Sequence, residues 1–148
     1  MMVYLEYESF KKRYLATQHE YSAILMEKEN LFTMTQPKAI KYNSDRVQSS
    51  NSGNVFDDYL IAKESKQIDE RLSEARSLLD DREKLLELKE RELRLSNDKT
   101  DIVYCLKYIE GMSTNSIAKR LNYSKSQVYR VLDRIKIEIR KDGKKCDK

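Results

Sequence analysis

The sequence predicts an all-α protein: a long helical or coiled-coil arm followed by a C-terminal tri-helical helix-turn-helix domain. Three observations carry that expectation. Of the 148 residues, 36% are charged and only four are Gly or Pro, a composition close to that of long helices and coiled coils. Apolar residues recur at steps of three, four or seven over residues 3–32 and again over 56–97, the spacing of one helix face. Finally, residues 112–140, MSTNSIAKRLNYSKSQVYRVLDRIKIEIR, contain two amphipathic helical segments joined by a tight polar turn.

Residues 1–36 are predicted as an amphipathic helix in which Val3, Tyr7, Phe10, Tyr14, Tyr21, Ile24 or Leu25, and Leu31 or Phe32 return to one face. A tyrosine seam on a helix is packing surface for another helix, since stacking platforms for single strands are usually presented on sheets. The pattern stops before Pro37. Residues 37–55 read as a flexible polar linker: the run KYNSDRVQSSNSGN from Lys41 to Asn54 has the Ser, Asn and Gly density of a connection that is disordered unless a partner orders it. Residues 56–98 are predicted as one long charged helix, with Asp57 and Asp58 set against the positive end of its dipole. Its seam of Ile61, Ile68, Leu72, Ala75, Leu79, Leu86 and Leu93 has coiled-coil spacing, interrupted by Arg82 and Lys89 and widened by Leu78 and Leu85. An intramolecular antiparallel pair with the N-terminal helix and a homodimer or higher oligomer would bury the same leucines. On the second arrangement, Ile61, Ile68, Leu72, Leu79, Leu86 and Leu93 are the oligomerisation residues.

The helix-turn-helix domain is predicted over residues 99–141. Asp98 or Thr100 can cap its first helix, Asp101 to Glu110, whose Ile102, Val103, Cys105, Leu106 and Ile109 face inward, and Gly111 ends it. Ser113 or Thr114 caps the second, with Ile117, Ala118 and Leu121 inward. Asn122-Tyr123 makes the turn, Asn being a residue that tolerates the left-handed conformation closing a helix. Ser124 caps the third helix, with Val128, Val131, Leu132, Ile135 and Ile139 at helical spacing. Lys125, Ser126, Gln127, Tyr129, Arg130 and Arg134 then face outward. Arg and Lys suit phosphates and guanine edges, and Gln suits adenine, which fits a helix lying in the major groove. Lys119 and Arg120 are placed near the flanking backbone. Residues 142–148 are expected to fray into a basic tail in which Lys144 and Lys145 can touch phosphates.

Charge follows the same division. Residues 1–55 carry 7 basic and 6 acidic side chains, 56–99 carry 10 and 13, and 100–148 carry 12 and 6, so the net charge of +4 is concentrated where the helix-turn-helix lies. Cys105 and Cys146 have no evident pairing, which points to a reduced cytoplasmic setting. The single histidine, His19, has no second His or Cys at ligand spacing, so no metal or other cofactor is expected. No stretch approaches the roughly 18 apolar residues of a membrane span, and no membrane partner is expected. An enzyme is the weakest class, since one histidine, three glycines and no phosphate loop leave little to do chemistry with.

The order of a polar linker carrying RVQSS, then FDDYL opening a long charged helix, then VYCLKYIEGMSTNSIAKRLNYSKSQVYRVLDRI, resembles the RinA/ArpU family of late-gene transcription regulators from phages and prophages of Gram-positive bacteria. The resemblance covers about residues 36–140. Its C-terminal motif is also similar to region 4 of the sigma-70 family, in which this helix-turn-helix reads the −35 promoter element. Carried over position by position, Ser124 caps the recognition helix, Lys125, Ser126, Gln127, Tyr129 and Arg130 face DNA, and Val128 and Val131 are buried. Sigma region 4 usually has several charged residues where this chain has Ser126, Gln127 and Tyr129, and the chain shows no counterpart of sigma region 2.

The expected function is therefore a sequence-specific double-stranded DNA-binding transcription regulator, an activator of phage late genes that works as a homodimer in the nucleoid of a bacterial host cell. The alternative is a protein-interaction adaptor or sigma-like accessory factor that grips RNA polymerase or a regulatory partner through the long helix.

Overall fold

The computed structural model describes residues 2–35 and 54–145, and these form five helices. They are α1 (Val3–Thr35), α2 (Asn54–Leu95), α3 (Lys99–Tyr104, continued by a π-helical turn over Cys105–Ile109), α4 (Thr114–Leu121) and α5 (Lys125–Lys145). No strand occurs among the described residues. Apart from its last two residues, which open α2, the expected polar linker lies outside the described residues, as does Cys146. The helices assemble into two compact units, one of residues 1–15 with 81–148 and one of residues 16–80.

The larger unit is built around the three short helices. Val103, Tyr104, Cys105 and Leu106 from α3 and its π turn meet Ile117 and Ala118 of α4 and Val128, Leu132 and Ile135 of α5 in one buried cluster. Fully burying an aliphatic side chain of this kind contributes about 1.5–3 kcal/mol. Asp98 caps α3, its carboxylate accepting from the Thr100 N–H at 2.8 Å. The π turn closes through Glu110 N–H to the Cys105 carbonyl at 3.0 Å and Met112 N–H to the Leu106 carbonyl at 2.9 Å. Gly111 then takes φ +67°, a backbone that a side chain would strain. Cys105 is a buried free thiol, and burial pushes its pKa up.

Three helices do not complete this core. Leu93 from the end of α2 and Tyr4 and Tyr7 from the start of α1 belong to it, and Tyr4 and Leu93 are as buried as any residue of the domain. The Tyr4 ring stacks on Tyr104 at 5.3 Å between centroids, and Tyr7 meets Tyr104 edge-on at 6.1 Å. Both hydroxyls have carboxylate acceptors: Tyr4 donates to Glu138 on α5, and Tyr104 donates to Glu8 on α1. The Tyr4 N–H, one of the donors that a helix start leaves without an intrahelical acceptor, donates to Asp101 Oδ1 at 3.1 Å. Asp101 is 2% exposed, and it also accepts from Ser96 Oγ at 2.7 Å. The α1 face expected from Val3 and Tyr7 therefore includes Tyr4, and its target is the helix-turn-helix domain.

The first turns of α1 also account for the length of α5. The tail expected to fray from residue 142 is instead helix to Lys145. Leu5, Glu8, Ser9 and Lys12 lie beside Ile139 and Asp142, giving the last turns a surface to follow that their own composition does not advertise.

The two interruptions of the α2 seam have partners in the same unit. Lys89 Nζ lies 2.7 Å from Glu6 and 2.7 Å from Glu92, and Arg82 donates to the Arg13 carbonyl at 2.9 Å. The bond to Lys89 lowers the Glu6 pKa, and the bonds to Glu6 and Glu92 raise that of Lys89. In the smaller unit, Glu27 pairs with Arg71 at 2.8 Å and Lys28 with Asp69 at 2.7 Å, so α1 and α2 run antiparallel there. These exposed pairs fix register more than they stabilise. Ile61, Ile68, Leu72, Ala75 and Leu79 are half-buried in this unit, with Tyr21, Ile24 and Leu31 the half-buried residues of α1, whereas Phe32 is exposed.

Two predictions follow from the tyrosine contacts. Tyr4→Ala should cost about 3–5 kcal/mol, the range for removing a buried aromatic; in urea denaturation monitored by circular dichroism, the α3–α5 domain should lose its stability together with α1. Burial, followed by the Glu138 and Glu8 contacts, pushes the Tyr4 and Tyr104 pKa values well above the 10.0 of free tyrosine. Unfolded chains ionise these phenols first, so their contribution to stability is complete below pH 10.0 and is lost as pH rises through and beyond that value. Melting temperature against pH should therefore fall in alkali, and Tyr4→Phe with Tyr104→Phe should flatten that fall while costing about 1–2 kcal/mol for each lost bond at neutral pH.

Candidate nucleic-acid interface

The geometry of the turn decides what α5 can present. Ser113 caps α4, its hydroxyl accepting from the Ser116 N–H at 3.2 Å. Asn122 ends α4 in the left-handed region at φ 54°, ψ 40°, and the Tyr123 N–H donates to the Ala118 carbonyl at 2.9 Å. Single residues of this conformation are commonly Gly or Asn because other side chains crowd the backbone there. The chain is thus redirected into α5 within two residues.

Ser124 and Gln127 start α5 reciprocally. The Ser124 hydroxyl accepts from the Gln127 N–H at 3.2 Å, and the Gln127 side-chain carbonyl accepts from the Ser124 N–H at 2.9 Å. This is a capping box of the S-x-x-Q form: it gives the Ser124 N–H an acceptor and the Gln127 N–H, which also reaches the Ser124 carbonyl at 3.1 Å, a second one. The spacing of Ser124 and Gln127 carries its signature, and the sequence alone assigns Gln127 to the DNA-facing side. The structure gives that side chain a second role, in the helix start.

Val128, Leu132 and Ile135 turn inward from α5, and Val131 is half-buried. Lys125, Ser126, Gln127, Tyr129, Arg130 and Arg134 are all exposed, and Tyr129 leaves 55% of its surface free in the middle of that face. Among the described residues, Lys119, Lys125, Arg130 and Arg134 enter no ion pair. A cationic face without carboxylate partners is suited to phosphates.

Two depressions border this face. One, of about 440 Å³, is lined by Asn115, Ala118, Lys119, Asn122, Tyr123 and Lys125, so Lys119 joins the same surface as the start of α5. The other, of about 240 Å³, is lined by Lys99, Tyr123, Gln127, Arg130 and Val131. Lys99 enters from the start of α3, its ammonium 5.9 Å from the centre of the Tyr123 ring. Neither Lys99 nor Tyr123 was among the expected contact residues; proximity across 24 positions of chain has no periodic signal to reveal it.

Arg120 is placed differently. Its guanidinium reaches Glu110 at 3.4 Å, and Glu110 also meets Arg94 at 3.5 Å. Arg120 lines a separate depression with Leu93, Arg94, Cys105 and Leu106. The structure therefore does not gather it with Lys119, Lys125 and Arg130. Among the described residues, no group of three His, Cys, Asp or Glu side chains could hold a metal ion, and no helix is long and apolar enough to cross a membrane.

Comparison with known proteins bears on the C-terminal domain as a whole. Neither a curated protein nor a solved structure matches the chain. Residues 95–141 match the family of the CENP-B N-terminal DNA-binding domain, a helix-turn-helix type of fold, and the match does not single out the RinA/ArpU family. The matched span opens at the end of α2 and closes within α5, taking in every residue of the exposed cationic face, and it supports a helix-turn-helix domain that binds double-stranded DNA.

Proposed function

We propose that the protein is a sequence-specific double-stranded DNA-binding transcription regulator whose α5 lies in the major groove. The observation that carries this reading is the exposed set of Lys125, Ser126, Gln127, Tyr129, Arg130 and Arg134, with no carboxylate before Asp133, on a helix whose opposite face is core. Arg130, free of ion pairs and one turn into α5, reads a base edge; Lys119, Lys125 and Arg134 hold phosphates. Ser124 and Gln127 fix the entry angle of the helix, and the outward edge of the Gln127 amide keeps its N–H donors for a base. Activation of phage late genes in a bacterial cell rests on the likeness of RVQSS, FDDYL and the C-terminal motif to that class of regulator.

A second reading, an adaptor gripping RNA polymerase or another copy of the chain through α2, has one observation in its favour. Leu85, Leu88 and Leu95 are exposed on α2 at steps of three and seven, with Leu95 81% exposed. Leu86 and Leu93, the neighbouring residues of the expected oligomerisation seam, are already packed within the chain.

Gln127→Glu separates helix building from DNA binding, because Glu maintains the capping box while setting a carboxylate against phosphates. Helicity should be unchanged by circular dichroism, and affinity for duplex DNA should drop at least tenfold in fluorescence anisotropy, about 1.4 kcal/mol or more. Arg130→Ala should relax sequence preference in a binding-site selection, with a loss of about 1–3 kcal/mol on the preferred site and less on random DNA; equal losses on both would remove Arg130 from base contact. For the second reading, light scattering of the wild type and of Leu88→Glu with Leu95→Glu should show a dimer reduced to a monomer. A wild-type monomer with and without DNA overturns self-association through these leucines.

A further inference from the structure

The depression bounded by Lys99, Tyr123, Gln127, Arg130 and Val131 connects the start of α3 to the DNA-facing side of α5. Its walls are mixed in a way that matches one ligand chemistry. Tyr123 and Val131 are half-buried and offer a ring face and a branched aliphatic surface, while Lys99 and Arg130 are exposed cations at the rim. The Lys99 ammonium lies 5.9 Å from the Tyr123 ring centre, within cation–π distance, which favours its place at this rim. Among the described residues, neither Lys99 nor Arg130 has a carboxylate partner. Apolar walls below two cations suit a sugar–phosphate unit, whose pentose is apolar on its ring faces and whose phosphate is anionic.

We propose that Lys99 and Tyr123 form, with Arg130, a backbone clamp that seats one deoxyribose–phosphate of the strand bordering the major groove. The pentose packs on Tyr123 and Val131, and the phosphate lies between the Lys99 ammonium and the Arg130 guanidinium. The clamp rests on the DNA-binding reading above and extends it to α3, outside the helix-turn-helix pair. It gives the duplex a fixed point on a second helix, so that rotation of α5 in the groove is limited by α3. Lys99 is a phosphate-positioning residue in this scheme and carries no base preference.

The test is the salt dependence of binding to a random-sequence 30-base-pair duplex, measured by fluorescence anisotropy for the full chain. Each phosphate contact contributes a slope of about −0.9 to log Kobs against log salt. Lys99→Ala should make the slope shallower by about that amount and weaken binding about fivefold to tenfold at roughly 100 mM salt, equally on random and preferred sequences. Lys99→Met, which removes the charge but keeps an unbranched chain of similar length, should do the same, as should the polar, uncharged Lys99→Gln, and Lys99→Arg should retain the slope. Lys63→Ala, on the exposed side of α2 in the other unit, should leave it unchanged. Tyr123→Leu should weaken binding with the slope retained, because it removes a packing wall and no charge. A wild-type slope in both Lys99→Ala and Lys99→Gln overturns the clamp and leaves the DNA-binding reading standing. Absence of salt-dependent binding by the wild type overturns both.

Discussion

Everything about the DNA-binding end of this chain depends on the stack of Tyr4 on Tyr104. A tri-helical unit of some 40 residues buries little surface relative to what it exposes, and its stability is correspondingly marginal. Here the deficit is met from elsewhere in the sequence. Two tyrosines of α1 and Leu93 of α2 close the open side of the core, and the Tyr4 N–H and hydroxyl reach Asp101 and Glu138, on α3 and α5. Because buried polar groups are expensive when unpaired, this arrangement fixes the position of α1 as well as adding apolar contact. Among the described residues, no buried side-chain nitrogen or oxygen lacks a partner.

The helix start at Ser124 shows how α5 is begun without using the charges on its exposed face. The glutamine of the capping box uses its acceptor on the Ser124 N–H, the asparagine before it accepts a left-handed backbone, and among the described residues Lys125, Arg130 and Arg134 enter no ion pair. Structural tasks have gone to uncharged polar residues and to the opposite, apolar face. Arg120 is the exception: it is held by Glu110 beside Arg94, and so ties α4 to the end of α2.

Much of this was legible in the sequence, and what was not has definite causes. Ile117, Ala118, Val128, Leu132 and Ile135 are inward because their spacing allows one helix face to hold them, and Asn122 and Ser124 announce their backbone roles through chemistry specific to turns and caps. The end of α5 was misplaced because composition reports what a segment prefers in isolation, and Lys141 to Lys145 are helical alongside Leu5, Glu8, Ser9 and Lys12. Tyr4 was passed over because Val3 and Tyr7 satisfied the same periodicity; a step of three to Tyr7 is equally helical, and only the position of Tyr104 decides. Arg82 and Lys89 looked like defects of a coiled-coil seam, yet their acceptors, the Arg13 carbonyl and Glu6, belong to α1. No pattern local to α2 could show them.

All-helical proteins usually assemble from neighbours in sequence and so fold quickly. This one does not have that advantage at its centre, since Tyr4 meets Asp101 across 97 residues and Glu138 across 134. The entropy of closing such spans must be met before the contacts repay it, and rates fall as the separation of contacting residues grows. Contacts of such separation are expected to slow the assembly of this unit, and wherever α1 is not in place Tyr104 loses the two rings that pack on it.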